Sequence, residues 1–197
     1  MKAKKLLVLA LAVILTATTA VSVSAAQVEE SSPGGETEVI ARVTGAAPGD
    51  VTYIITIPDV VDFGELTQPA DSSADDYKDV AFTVTASEIS GLDSEEQQIS
   101  VYVKDQNATV EDPAFYLTNK SDSTKSFTYD MYNEEQQIND GGMTRAIGYF
   151  LTAFTTEGES IEGTLRLNQN QLCGYDLLDI VGDYSGYMVF YSTIETQ

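Results

Sequence analysis

Across its 197 residues the chain carries 31 acidic and ten basic side chains and no histidine, for a formal net charge of −21. Without histidine, Ser-His-Asp and Cys-His catalysis and His-ligated zinc or iron sites are excluded. So negative a chain also repels nucleic acid and anionic membrane surfaces.

The chain opens with the basic cluster Met1-Lys2-Ala3-Lys4-Lys5, an apolar run from Leu6 to Thr16, and the small residues Val23-Ser24-Ala25-Ala26. This order predicts a secretory signal peptide over 1–26, because the apolar run is too short to span a bilayer. Lys2, Lys4 and Lys5 leave with it, and every acidic residue stays. Seven basic residues then face 31 acidic ones, and the exported chain carries −24. No second apolar segment, lipoprotein cysteine or C-terminal sorting signal follows. The expected location is therefore extracellular, either released or held non-covalently at the cell surface, with no membrane insertion after cleavage.

Residues 27–37, "QVEESSPGGET", have no periodicity and hold Pro and Gly together, which reads as a flexible lead-in. From residue 38 to 197 a single domain is expected, long enough to bury a substantial core. Alternating segments follow in order: "EVIARVTG", "VTYIITIP", "DVAFTVTA", "ISVYVKD", "AFYLTN", "SFTYDMY", "GYFLTAF", "GTLRLNQ" and "GYMVFYSTI". Short strands at this spacing predict an all-β fold, an antiparallel two-sheet sandwich of Ig-like or jelly-roll-like kind. In the third of these segments Val80, Phe82 and Val84 share one face. In the fourth, Ile99, Val101 and Val103 oppose Ser100, Tyr102 and Lys104, so one face is expected buried and one wet. The helical signal is confined to "LLDIV", 177–181, a single turn after Asp176. "EEQQI" at 95–99 recurs at 134–138 without a matching context, which reads as coincidence in polar turns.

"VTYIITIPDVVDFGELTQ", 51–68, interrupts its strand at Pro58. Proline cannot donate to a sheet ladder, so the segment is expected to form a corner where the chain leaves one sheet for the other. Val61 and Phe63 then re-enter the core, and Gly64 permits the bend. At the far end, "GDYSGYMVFYS" places Tyr184 just before the last strand, as a corner tyrosine bonded to the main chain or as an ordinary edge aromatic.

The pair "YIITIPDVVDFGEL" and "GDYSGYMVFYS" resembles a pattern in secreted sandwich proteins of Gram-positive bacteria, including surface domains of the Trp-x-Leu (WxL) type. The resemblance implies a β-sandwich displayed outside the cell. The chain has no Trp, so the signature that names those domains, and its wall-binding role, are not carried over.

No catalytic residue is assigned. A Ser-x-x-Lys nucleophile is missing, "GESIEG" at 158–163 misses the nucleophile elbow by one residue, and no phosphate-cradling glycine loop or dinucleotide fingerprint occurs, so no cofactor is expected. Paired carboxylates of a glycosidase stay open in principle, with 31 acids and no way to choose among them. For calcium, two loops offer oxygens: Asp71, Asp75 and Asp76, and Asp105, Asn107, Glu111 and Asp112. Neither fits an EF-hand, and acidic turns between strands are commonly only turns, so no metal site is assigned. For sugar stacking, "FTYDMYN" places Phe127 and Tyr129 on one parity and Tyr132 on the other, with a core role for the first two as the competing reading. Lys78 shares parity with Val80 and Phe82. It is either a buried partner for an Asn cross-link or a side chain snorkelling at the strand start. Cys173 stands alone, as a small buried apolar residue or an intermolecular disulfide partner. The reading that emerges is a non-catalytic exported surface or adhesion domain with an extracellular protein or glycan partner, and a carbohydrate-binding module as the alternative.

Overall fold

The computed structural model describes residues 51–197. The predicted signal peptide, lead-in over 27–37 and strand over 38–45 lie outside the described residues.

Two antiparallel sheets pack face to face. The larger is ordered β1-β2-β8-β5-β4-β9, from β1 (Thr52–Thr56), β2 (Tyr77–Ser90), β8 (Ser160–Asn168), β5 (Ser126–Asn133), β4 (Phe115–Asn119) and β9 (Tyr184–Ser185), with β6 (Gln136–Gln137) also paired to β5. The smaller is ordered β10-β3-β7, from β10 (Met188–Thr196), β3 (Gln97–Asp105) and β7 (Tyr149–Phe154). The all-β sandwich predicted from the alternating segments is the fold observed.

Parity decides which side chains form the core. Phe82 and Val84 of β2, Leu165 and Leu167 of β8, and Phe127, Tyr129 and Met131 of β5 point inward from the larger sheet. Ile99, Val101 and Val103 of β3 meet them from the smaller one, all fully buried. Rings bridge the layers: Phe82 meets Phe190 at 6.4 Å between centroids, and Phe115 meets Tyr149 at 6.1 Å. Burying aromatic and branched side chains of both inner faces is the main stabilising contribution in such a sandwich.

The wet face of β3 is less wet than alternation implies. Ser100 is fully buried, its hydroxyl accepting from Gln98 Nε2 at 3.1 Å, and Tyr102 is nearly so, because Arg145, from the loop before β7, lies across its ring and pairs with Glu195. A side chain delivered from a distant loop closes a surface that the local pattern leaves open.

The helical turn expected after Asp176 is present as α1 (Leu177–Ile180), with the Asp176 side chain accepting the Leu178 N–H at 3.0 Å. A 3₁₀ helix over Gln169–Gly174 and the two-residue strands β6 and β9 have no counterpart in the sequence reading. Segments this short carry too few side chains for a hydrophobic pattern to show. Tyr184 is a corner tyrosine: its hydroxyl donates to the Ile180 carbonyl at 2.9 Å, and its ring packs on Phe127 at 4.9 Å.

The corner at Pro58 is corrected. β1 and β2 are neighbours in the same sheet, and the chain between them joins no sheet from Ile57 to Asp76. Pro58 ends the ladder as expected, Val60 turns out to solvent, and Phe63 drops back into the core, edge-on to Tyr129 at 5.8 Å, with Val61 half-buried against the core as well. The segment covers one mouth of the sandwich and is pinned beyond it, where the Thr67 N–H donates to Gln169 Oε1 at 2.8 Å. Gly64 has φ +64°, with its N–H donated to Asp62 Oδ1 at 2.7 Å. Gly64→Val is therefore expected to destabilise by about 1–3 kcal/mol through backbone strain, since nothing crowds the position. Pro58→Ala is expected to cost under about 1 kcal/mol. Urea melts of the two variants check the order.

Candidate binding face

The outer face of the smaller sheet carries an aromatic row. Tyr191 of β10 is the register partner of Tyr102 on β3, and Tyr102 is the partner of Phe150 on β7. Three rings thus stand side by side across all three strands. The alignment depends on a bulge in β7, where register passes from Val101–Thr152 to Tyr102–Phe150 and Leu151 is skipped. The extra residue turns Phe150 outward while Leu151 and Phe154 stay in the core.

The ends of the row are open and its centre is braced. Phe150 is 49% exposed and Tyr191 41%, against 5% for Tyr102. Phe150 and Tyr102 meet edge to face, 5.7 Å apart. The Arg145 guanidinium lies 5.1 Å from the centre of the Tyr102 ring and bonds the Tyr102 hydroxyl, and its Nη1 also meets Glu195 Oε1 at 2.6 Å. Tyr102 Oη donates toward the same carboxylate at 3.0 Å. Lys104 Nζ sits 5.8 Å from the centre of the Tyr191 ring and donates to the Ala146 carbonyl. Of the six basic residues described, two therefore flank this row in a strongly acidic chain.

The electrostatics follow from these contacts. Arg145 holds the Glu195 carboxyl below its ordinary range, so Glu195 is ionised at neutral pH and its brace is lost only as pH falls through that depressed value. Burial, and then the Glu195 charge, push the Tyr102 hydroxyl up, which keeps it a donor. The face offers ring surface, fixed donors and cations with a single braced carboxylate. That combination supports recognition by stacking and hydrogen bonding.

The residues singled out from sequence fall elsewhere. Phe127 and Tyr129 are core, which decides between the two readings of that pair in favour of the core, and burial raises the Tyr129 hydroxyl pKa. Tyr132 does face out, on the larger sheet, but the Arg166 guanidinium lies 4.8 Å from its ring centre and 5.2 Å from that of Tyr77. Arg166 also makes a bidentate pair with Asp79, at 2.8 and 2.6 Å. That stack is closed on itself. Lys78 snorkels, donating to the Glu65 carbonyl at 3.3 Å. Cys173 is half-buried rather than buried, its thiol directed to the Pro69 carbonyl.

The two acidic loops are built as turns. Asp71 accepts the N–H and hydroxyl of Ser73, each at 2.8 Å, and Asp75 accepts from Asn168 at 3.0 Å. Asp105 is buried with one oxygen on the Asn107 N–H at 2.8 Å and the other on the Tyr116 N–H at 3.2 Å, while Asp112 accepts from the Tyr116 hydroxyl. Among the described residues no three Cys, Asp or Glu side chains converge as a metal site. No described helix is long and apolar enough to cross a membrane.

Phe150, Tyr191 and Arg145 were not picked out from the sequence. Tyr102 was placed on the outer side of its strand by parity, and the same alternation in "MVFYSTI" puts Tyr191 out of phase with Phe190. In "YFLTAF", however, strict alternation puts Phe150 on the side of the buried Phe154, and only the bulge turns it out. What parity cannot supply is the register that lines the three up.

No family model and no curated protein matches this chain. Among solved structures it is similar to a chain from "Chaperone-tip adhesin complex is vital for synergistic activation of CFA/I fimbriae biogenesis", at 15% identity and a TM-score of 0.40. That alignment covers 74% of this chain and 42% of the other, so the present chain spans less than half of that protein's length.

Proposed function

We propose that this is an exported, non-catalytic adhesion domain that engages an extracellular protein or glycan through the outer face of its smaller sheet. The observation that carries the reading is the in-register row Tyr191–Tyr102–Phe150, open at both ends and braced at its centre. Exposed aromatic side chains in a braced setting are the groups that dominate binding surfaces, for stacking on sugars as for packing on proteins. The basic leader at 1–26 supports export, and the two terminal motifs support placement among the sandwich domains that Gram-positive bacteria display. A cell-surface position held by non-covalent contacts follows from the same reading.

An array of glycans and extracellular matrix proteins tests it. Saturable binding is expected, weakened about tenfold by Phe150→Ala and by Tyr191→Ala, both of which alter half-exposed rings without opening the core. Binding that survives both substitutions rejects the face, and no binding to any arrayed molecule rejects adhesion. Tyr129→Ala is unsuitable as a probe because it opens a cavity in the core.

A further inference from the structure

We propose that the polar cleft at the end of β3, β4 and β9 is a second site, one that takes a neutral hexose unit of a short oligosaccharide. The cleft has a volume of about 440 Å3, within the ~300–1,000 Å3 of small-ligand sites. None of the residues of the aromatic row lines it.

Its walls and its polar groups play different parts. Tyr187 is 48% exposed and offers a ring face, and Tyr116 supplies a second ring whose hydroxyl is tied to Asp112 at 3.0 Å. Between them stand the hydroxyls of Thr118, Ser126 and Ser185 and the side-chain amide of Asn107. None of these four side chains bonds another described residue, in a domain where other Asn and Gln side chains cap turns and strands. Hydrogen-bonding groups gathered beside aromatic rings and left without protein partners suit a ligand with many hydroxyls and an apolar ring face.

The cleft is also preorganised. Asp105 anchors its base by accepting the Asn107 and Tyr116 N–H groups. Gly186 lets the β9–β10 link press against β4, because a Cβ there would collide with the Tyr116 carbonyl oxygen.

Charge selects the class of sugar. The Asp105 carboxylate and the Lys120 ammonium both line the cleft, and Lys120 forms no ion pair among the described residues. The two together leave the lining near neutral, while the acidic surface around it repels a uronate. A neutral sugar meets no such penalty, and Lys120 can donate to one of its hydroxyls.

The test is a titration of the protein with cellotriose, mannotriose, galactotriose and tri-N-acetylglucosamine, against tri-galacturonate, followed by amide NMR. At least one neutral trimer is expected to bind, shifting the amides of Thr118, Ser126 and Ser185. Tyr187→Ala is expected to weaken it about tenfold, Tyr187→Phe to retain it, and Phe150→Ala to leave it unchanged. The proposal is overturned if no neutral trimer binds, if tri-galacturonate binds as well as the best neutral one, or if Tyr187→Ala keeps full affinity. Loss of partner binding in Phe150→Ala with sugar binding intact separates the cleft from the aromatic face, and the converse result separates them in the other direction.

Discussion

Phe63→Ala is expected to lower the stability of the domain by about 3–5 kcal/mol, the range for deleting a buried aromatic ring that leaves a cavity. Phe63 is the one buried side chain of the loop between β1 and β2, with Val61 and Leu66 half-buried against the core. Phe63 packs edge-on against Tyr129, which in turn lies 5.4 Å from Phe115. Its loss leaves a gap at the mouth of the sandwich. The loop fills little of that gap, since its outer contacts at Thr67 and Gln68 hold it in place. Urea denaturation gives the value, and the comparison with Gly64→Val gives the mechanism: the first removes contact, the second adds strain. A Phe63→Ala protein as stable as the parent would mean that the loop leaves the core without cost.

Gly186→Ala is the second large effect, at about 3 kcal/mol, the upper end of what overpacking costs. The position lies between β9 and β10, where the chain passes from the larger sheet to the smaller. A methyl group there would meet the main-chain carbonyl of Tyr116, which cannot swing away because β4 is held by β5 on its other side. The link must lift off β4, taking the β9 pairing of Thr118 with Ser185 and the position of Tyr187 with it. Thermal denaturation is expected to show the loss, and amide exchange is expected to rise first at Thr118 and Asn119. An unchanged melting temperature would mean that the two segments are not in contact.

Most of the fold was legible in the residues. Side chains in a strand alternate between faces, so Val80, Phe82 and Val84, or Ile99, Val101 and Val103, name their own buried side without reference to anything distant. Pro58 and Gly64 likewise announce a break, because one lacks a donor and the other tolerates a positive φ. The same local grammar offered Tyr184 as a corner tyrosine or an edge aromatic and placed a helical turn after Asp176.

What the chain alone left undecided depends on contacts between residues far apart in sequence. Whether the break at Pro58 crosses between sheets was settled by β1 and β2 pairing with each other. Of the two roles open to Tyr129, the core one holds because its parity face meets Phe115 and the returning Phe63. The aromatic row needed two registers and a bulge at once: β10 on β3, β3 on β7, and an extra residue at Leu151 that no local pattern marks. Alternation assigns Tyr102 and Tyr191 to a side of their own strands, whereas only the pairing of strands and the β7 bulge bring Tyr191, Tyr102 and Phe150 into one row and lay Arg145 across it. A period of two is a property of one strand, and register is a property of a pair; the sequence states the first, and the tertiary structure decides the second.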